Sequence, residues 1–435
     1  MKKKIKIILK ILLIPTITIL YFQNRFSYRR FQLRLDLIDY NKRHQLFNLT
    51  KNEPKYILFT KTHKTGSSTI QNILMRYALQ HDKKLLWSKF TSPANNQRQL
   101  TSLHYPEHFK TNMALNQPGT VDLSCLHMYP KYPKQIYQMF PEDHNHNNNL
   151  FHFTILREPY SAYKSMFFYY KNENGNPCFS QNNFKDLRDL IENYEKCTRD
   201  IPGKTFPFFG NAAAFDLGYL ATYSDEQDLV KRIPLILNEL DQKLNLVLML
   251  ERYWESMILL KYALKLRTDE VVAFKLNSVL PPRSGTININ KNEEAFYKNV
   301  LYNKILPVDS AIYNHFYQKF DEKIDLFKKI YGKEKLQQEI DELKAATDHF
   351  YNNICKAKEL KPKNIDGSFD LKTQNIPREY VPWHPKNVGV KTILIGIDEG
   401  DVNFEDCTLK TLPEAELARR VFGEQVRRGL VETED

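Results

Sequence analysis

The sequence predicts an α/β fold with a P-loop-like parallel sheet flanked by helices, and two observations support this. Three apolar runs of strand length, 55–60, 151–156 and 244–250, are each followed by a segment with helical spacing. An apolar strand followed by a helix, repeated along a chain, is typical of a parallel sheet covered by helices. With 435 residues, the chain is long enough to bury such a core.

The first residues predict a membrane anchor. Lysines at positions 2 to 4 precede a stretch, Ile7 to Phe22, that is almost entirely apolar apart from Lys10, and no small-residue cleavage site follows it. We therefore expect a cytoplasmic tail at 1–4 and a type II signal anchor at 5–22, with the rest of the chain in the lumen. Arginines after the span weaken the charge asymmetry, so a cleaved signal peptide and a soluble protein are the alternatives.

Beyond the anchor, the composition and residue pattern divide the chain into three regions. Residues 23–53 are charged and polar without strand alternation, which predicts a luminal stem, and a glycosylation sequon begins there at Asn48. The strand and helix pattern occupies the predicted catalytic domain, 54–335. A charged helix is expected over 335–360, within a C-terminal region, 336–435, whose role the sequence does not reveal.

The cysteines and histidines show no metal pattern. Five cysteines include no CxxC spacing, and a luminal location makes them potential disulfide partners, although their pairing is not readable. His144 and His146 lie in a polar loop without further ligands, which predicts a solvated turn. No metal is expected.

The net charge gives only weak information about partners. It is +12, but five lysines lie within the first ten residues. The remaining balance fits an anionic ligand such as a nucleotide, and equally an ordinary basic surface. We expect no nucleic-acid partner.

The strongest functional signal is the segment KTHKTGSST, 61–69, between the first strand and its helix. Unpaired N–H groups and the dipole make a helix N-terminus an anion site, and a glycine lets the backbone approach the ligand. A nucleoside-triphosphate loop would need GxxxxGK[ST], whereas here the lysine precedes the glycine, so a kinase or ATPase is disfavoured. An ordinary capped helix is the remaining alternative. The residues predicted to bind the anion are Lys64, Thr65, Gly66, Ser67, Ser68 and Thr69.

A second anion site is predicted after the second strand. Arg157 follows that strand, and Ser165 lies eight residues later in the next helix. A guanidinium fork at the end of a strand suits a phosphate. Two anion sites on consecutive strand–helix turns fit a nucleotide with phosphate at both its 5′ and 3′ ends. That nucleotide is 3′-phosphoadenosine 5′-phosphosulfate (PAPS) rather than ATP.

Together these motifs resemble the galactose-3-O-sulfotransferase family, which includes cerebroside sulfotransferase. Residues 59–69 are similar to its 5′-phosphosulfate loop, and 154–159 with Ser165 to its 3′-phosphate motif, with a weaker similarity at 211–218. The resemblance implies a sulfotransferase fold, PAPS as co-substrate and no metal. It also implies a single-pass type II Golgi membrane protein that sulfates the 3-hydroxyl of galactose in glycolipids or glycoproteins. A homodimer is left open.

The implied reaction needs a base at the attacking hydroxyl and positive charge at the leaving oxygen. His63 is the first candidate for the base, with a loop-capping role as its alternative, and His127 is the second candidate or an acceptor contact. Lys64 is expected to stabilise the leaving oxygen and Lys61 to neutralise the sulfuryl oxygens. A sulfotransferase for another sugar and an inactive glycan-binding relative are the competing hypotheses.

Overall fold

The computed structural model describes most of the chain from residue 38 to residue 431. The described ranges are 38–47, 54–88, 91–92, 97–98, 102–103, 118–128, 133–141, 149–170, 184, 186–198, 210–219, 226–275, 291–360, 377 and 392–431. The chain forms two compact units, Met1–Thr50 and Lys51–Asp435, and the sheet lies in the second.

Several predicted features lie outside the described residues: the anchor at 5–22, the sequon at Asn48 and the pair His144 and His146. Within the described ranges, no helix combines the length and the apolar character that crossing a bilayer requires.

A four-stranded parallel sheet forms the centre of the fold. Its strands are β1 (Tyr56–Thr60), β2 (Leu123–Ser124), β3 (Leu150–Leu156) and β4 (Leu246–Met249). They lie in the order β2-β1-β3-β4, and every neighbouring pair is parallel. The predicted α/β class with a parallel sheet flanked by helices is therefore confirmed. Strand β2 was not predicted, because two residues are too few to show a periodic pattern.

The strand order creates a crevice next to β1 and β3. After β1 the chain pairs β2 on one side, and after β3 it pairs β4 on the other side. The connections that leave the carboxyl ends of β1 and β3 therefore run in opposite directions. In open α/β sheets, ligands bind at such a switch point, outside the carboxyl ends of the strands.

Helices follow each of the three predicted strands and continue to the C-terminus. The main ones are α1 (Ser67–Gln80), α2 (Pro159–Tyr170), α3 (Ala212–Asp216), α4 (Tyr253–Leu264), α5 (Pro307–Tyr331), α6 (Lys333–His349), α7 (Phe404–Thr411) and α8 (Glu414–Arg427). The other helical segments of the described residues are Pro133–Gln138, Leu187–Glu192, Glu195–Thr198, Glu226–Lys231, Ile233–Lys243, Leu250–Arg252, Thr268–Val271, Lys291–Val300, Leu301–Ile305 and Phe350–Ile354. Two-stranded ladders pair Thr91–Ser92 with Gln97–Arg98, Ser102–Leu103 with His127–Met128, and Lys358–Leu360 with Thr392–Leu394.

The predicted charged helix at 335–360 is shorter than expected. Helix α6 continues after His349 as a π-helix over Phe350–Ile354, and Lys358–Leu360 is a strand. That strand pairs antiparallel with Thr392–Leu394, so its backbone groups find partners in a segment that local helical spacing does not reveal.

The C-terminal segment is an integral part of the second unit. A disulfide joins Cys355 to Cys407 across 52 residues, which restricts the unfolded chain and so favours the folded one. The amide of Asn72 on α1 donates to the carbonyl of Leu409 at 2.9 Å. Polar residues of α1 are buried as a result. Cys125, by comparison with the disulfide-bonded Cys355 and Cys407, is a buried free thiol.

Candidate active site

The loop between β1 and α1 depends on Gly66. This residue caps α1 in the left-handed region, with φ 79°, where side chains with a Cβ are strained. A Cβ at this position would lie 2.8 Å from Cδ1 of Leu250, just after β4. Both the backbone conformation and the close approach to Leu250 therefore favour glycine.

We expect Gly66→Ala to lower the free energy of unfolding by about 2 kcal/mol, because it adds left-handed strain and a contact with Leu250. Urea unfolding of the purified protein measures this loss. Gly423→Ala is the matched control: Gly423 lies inside α8, and a Cβ there meets nothing within 4 Å. That control should stabilise by about 0.5–1 kcal/mol. Equal effects of the two changes would contradict the role assigned to Gly66.

Hydroxyl groups inside the loop hold its shape. The side chains of Thr65 and Ser67 donate to the carbonyl of Thr62, at 3.1 and 2.5 Å. Thr62 Oγ1 in turn donates to the carbonyl of Ile155, which ties the loop to β3. Two of the predicted anion ligands thus use their side-chain donors within the loop. The backbone N–H groups at the start of α1 remain the principal donors toward a bound anion.

Lys64 lies at the top of the loop in a crowded cationic setting. Its backbone has φ 59°, and its Nζ lies 3.5 Å from the centre of the Tyr169 ring on α2. Burial, followed by the nearby charges of Arg157 and Lys61, lowers the pKa of Lys64 to about 7. An anion bound nearby would therefore stabilise the charged form of Lys64 and raise its pKa.

Arg157 brings the second predicted anion site to the same crevice. Its Nη1 donates to the carbonyl of Lys64 at 3.1 Å, so the end of β3 lies against the loop. Burial lowers the pKa of Arg157, and the carboxylates of Glu251 and Glu158 oppose that shift. Glu158 also accepts from the backbone N–H of Ser161 at 2.8 Å, at the start of α2. Further along this helix lies Ser165, which is half-buried.

His63 is oriented by a carboxylate that the sequence did not single out. Its backbone N–H donates to Oδ2 of Asp216 at 2.7 Å, and its Nδ1 lies 2.8 Å from Oδ1 of the same residue. A carboxylate only accepts, so Nδ1 carries the proton and Nε2 is the basic atom of the ring. The arrangement is that of a base with its orienting acid.

Helix α3 holds Asp216 in place through a reciprocal cap. Asp309, at the start of α5, accepts from the backbone N–H groups of Ala213 and Ala214 at 3.0 and 2.8 Å. The side chain of Asn211 accepts in return from the N–H of Asp309 at 3.0 Å. Because these groups are buried, the position of Asp216 is fixed by packing rather than by local sequence.

His127 stacks on His63. The ring centres are 4.3 Å apart and the planes are inclined by 28°. Ligand-type atoms of His63, His127 and Asp216 all lie within 4.8 Å of one another, a spacing at which a cation is conceivable chemically. Both oxygens of Asp216, however, already accept from His63. His63 and Asp216 thus form a hydrogen-bonded pair, and the imidazole of His127 stacks on His63. The expectation that the protein holds no metal stays a prediction.

Lys61 and Ser68 share a partner from the C-terminus. The ammonium of Lys61 lies 2.5 Å from Oε1 of Glu414, and Ser68 Oγ donates to Oε2 at 2.9 Å. Thr69, also predicted to bind the anion, is half-buried in the first turn of α1. Sequence reasoning missed Glu414 because no motif surrounds it. Asp216, by contrast, lies in the weakly similar stretch 211–218, whose only acidic residue it is.

Known proteins include relatives of this chain. A sequence profile of the family described as Galactose-3-O-sulfotransferase matches residues 1–388. The chain is 28% identical over 346 residues to "Galactosylceramide sulfotransferase" of Mus musculus, which covers 78% of this chain and 70% of that protein. It is 26% identical over 374 residues to "Galactose-3-O-sulfotransferase 2" of Sus scrofa, covering 85% and 84%.

A third relative is "Galactose-3-O-sulfotransferase 3" of Mus musculus, 26% identical over 381 residues, with 86% of this chain and 78% of the relative covered. No solved structure matches the chain significantly. The family profile spans far more than half of the 435 residues, and it includes the loop after β1, Arg157 and Asp216. The chain belongs to the galactose-3-O-sulfotransferase family.

Proposed function

We propose that this protein transfers a sulfuryl group from PAPS to the 3-hydroxyl of galactose in a glycolipid or glycoprotein. The observation that carries the proposal is the meeting of the loop, Arg157 and the His63–Asp216 pair at one crevice of the sheet. Membership of a sulfotransferase family supports the same reaction class.

The donor binds across the two anion sites. The N–H groups at the start of α1 and the ammonium of Lys64 take the 5′-phosphosulfate end. Arg157 and Ser165 take the 3′-phosphate, and a guanidinium is well suited to that group. Arg157 donates a hydrogen bond to the carbonyl of Lys64, so the two anion sites are in direct contact. Binding of a phosphate at one site therefore affects the position of the groups at the other.

The transfer is an in-line displacement. The 3-oxygen of galactose attacks sulfur, and the bond between sulfur and the bridging oxygen of the 5′-phosphate breaks. The hydroxyl proton passes to Nε2 of His63, and Asp216 stabilises the resulting imidazolium through Nδ1–H. The ammonium of Lys64 stabilises the negative charge that develops on the leaving oxygen. The products are a sulfated galactoside and 3′-phosphoadenosine 5′-phosphate (PAP).

Acceptor and location complete the proposal. As their names state, the relatives act on galactosylceramide or at the 3-oxygen of galactose, and we infer a galactose-containing acceptor for this chain. We assign a contact with the acceptor to His127, and its stacking on His63 supports that role. The apolar run at 5–22 anchors the protein in the Golgi membrane with its catalytic domain in the lumen. Digestion of the catalytic domain by protease added to intact vesicles would contradict this orientation.

An acceptor panel tests the function. The full-length protein in detergent is incubated with radiolabelled PAPS and galactosylceramide, lactosylceramide, a type 2 glycan ending in β-galactose, or glucosylceramide. We expect label only on acceptors with terminal galactose, and none on a matched galactoside whose 3-hydroxyl is methylated. Labelling of the methylated galactoside, or of glucosylceramide alone, would exclude galactose 3-O-sulfation.

The pKa of Lys64 predicts how donor binding depends on pH. At a pKa of about 7, Lys64 is charged below neutral pH and neutral above it in the unliganded protein. An anionic donor favours the charged form, so PAP binding at about pH 8 should take up close to one proton. Affinity should fall as pH rises above neutrality, by at most about tenfold per pH unit.

Isothermal titration of PAP in buffers of different ionisation enthalpy measures this proton uptake. Lys64→Met should abolish it. Lys164→Met is the matched control, since Lys164 also lies near the ring of a tyrosine on α2, Tyr160, at 5.3 Å. Proton uptake that persists in Lys64→Met would assign the titration to another group.

A further inference from the structure

The C-terminal helices lie outside the region that the family profile matches, yet they pack against α1. The profile ends at residue 388, whereas α7 and α8 begin at Phe404 and Glu414. Gln425 on α8 is fully buried and accepts from the indole N–H of Trp87 at 3.1 Å. Its amide donates to the carbonyl of Lys83 at 2.7 Å, just beyond α1. These contacts hold the last turn of α8 beside the segment that follows α1, and the hydrogen bond between Ser68 and Glu414 joins the first turns of the two helices.

The first residue of α8 reaches the donor loop. One oxygen of Glu414 lies 2.5 Å from the ammonium of Lys61, and the other accepts from Ser68 Oγ at 2.9 Å. The side chain of Lys61 is 1% exposed, whereas that of Glu414 is 22% exposed. The buried ammonium of Lys61 is therefore compensated by the partly exposed carboxylate of Glu414. Rotation of the Glu414 side chain can turn this carboxylate toward solvent.

The groups that hold Glu414 are those that suit a phosphate or sulfuryl oxygen. An ammonium and a hydroxyl of the first turn of α1 converge on a bridging carboxylate, as they would on an oxyanion. Two anionic groups cannot share this position without strong repulsion at such short range.

We propose that Glu414 is an internal competitor of the donor: its carboxylate occupies anion-binding groups of the loop and must move away when the phosphosulfate end binds. The inference rests on the proposed function, and it deepens it by naming a residue, outside the family's matched region, that sets donor affinity. Displaced Glu414 is hydrated, while the donor takes over the pairing with Lys61 and Ser68.

The test is PAP binding by isothermal titration to the full-length protein in detergent. Glu414→Gln keeps the size of the side chain and removes its charge, so PAP should bind about tenfold more tightly than to the wild-type protein. Glu414→Asp retains the charge but is one methylene shorter, so it cannot bridge Lys61 and Ser68 equally well. It should give a smaller gain, and it serves if the glutamine variant does not fold.

Glu416→Gln is the matched control. It removes the same charge from the same helical turn, but Glu416 pairs with Arg419 rather than with the loop, and PAP affinity should stay unchanged. Unchanged or weaker PAP binding by both Glu414 variants would overturn the competitor role. If the wild-type protein and all variants are folded and none binds PAP, the donor assignment itself fails, and the role of Glu414 fails with it.

Discussion

His63→Ala should lower kcat by about 10²–10⁴-fold while PAP affinity stays close to the wild-type value. Asp216 accepts from the backbone N–H and from Nδ1 of His63, which sets the tautomer of the imidazole and presents Nε2 as the basic atom. Its loss removes the proton acceptor for the galactose hydroxyl but none of the anion-binding groups. Initial rates with radiolabelled PAPS give kcat, and isothermal titration gives the dissociation constant of PAP.

Two further variants separate the base from its surroundings. Asp216→Asn should lower kcat less than His63→Ala does, with KM for PAPS unchanged, because the amide no longer stabilises the imidazolium. His127→Ala should have the smallest effect on kcat if it only stacks on His63 and contacts the acceptor. A large loss in His127→Ala, combined with a nearly normal His63→Ala, would transfer the role of base to His127.

Lys64→Met should lower kcat by about 10²–10³-fold and also weaken PAP binding. Lys64 contributes an ammonium to the loop, and burial beside Arg157 and Lys61 disfavours its charged form until an anion binds. For the same reason, the unliganded variant should be more stable than the wild-type protein, because methionine needs no hydration. Thermal unfolding without ligand measures this gain, and initial rates measure the loss of turnover.

Lys64→Met is distinguished by a fall in kcat together with a rise in Tm. A merely structural lysine would lower both when replaced. Lys164→Met, with the same change in charge on α2, should leave both close to the wild-type values. Full turnover in Lys64→Met would exclude a contribution of this ammonium to the leaving oxygen.

Sequence and structure agree most closely where the signal is local. The three predicted strands at 55–60, 151–156 and 244–250 correspond to β1, β3 and β4 with end points that differ by at most two residues. Apolar runs of this length are bounded by residues that interrupt the pattern, so both existence and position are readable. The end of the predicted helix at 335–360 was wrong, because the chain is helical only to Ile354 and residues 358–360 pair with a strand more than 30 positions away.

The composition of the loop was readable from sequence, but the partners of its side chains were not. Lys61 was expected to neutralise sulfuryl oxygens, and the structure places its ammonium on Glu414. Thr65 and Ser67 were expected to bind the anion, and their hydroxyls donate to Thr62. Residue type specifies which hydrogen bonds a side chain can make, whereas packing decides which of them it does make.

The sequence by itself determined the strand–loop–helix unit around Gly66 and the family, whereas the paired anion sites stay a prediction. An anion-binding loop needs a glycine, hydroxyls and a cation within a few consecutive positions, so its requirements are written locally. Only the tertiary structure decided that Asp216 orients His63 across 153 positions and that Glu414 meets Ser68 across 346. Such contacts arise when distant elements pack together, and no periodicity or spacing along the chain encodes them.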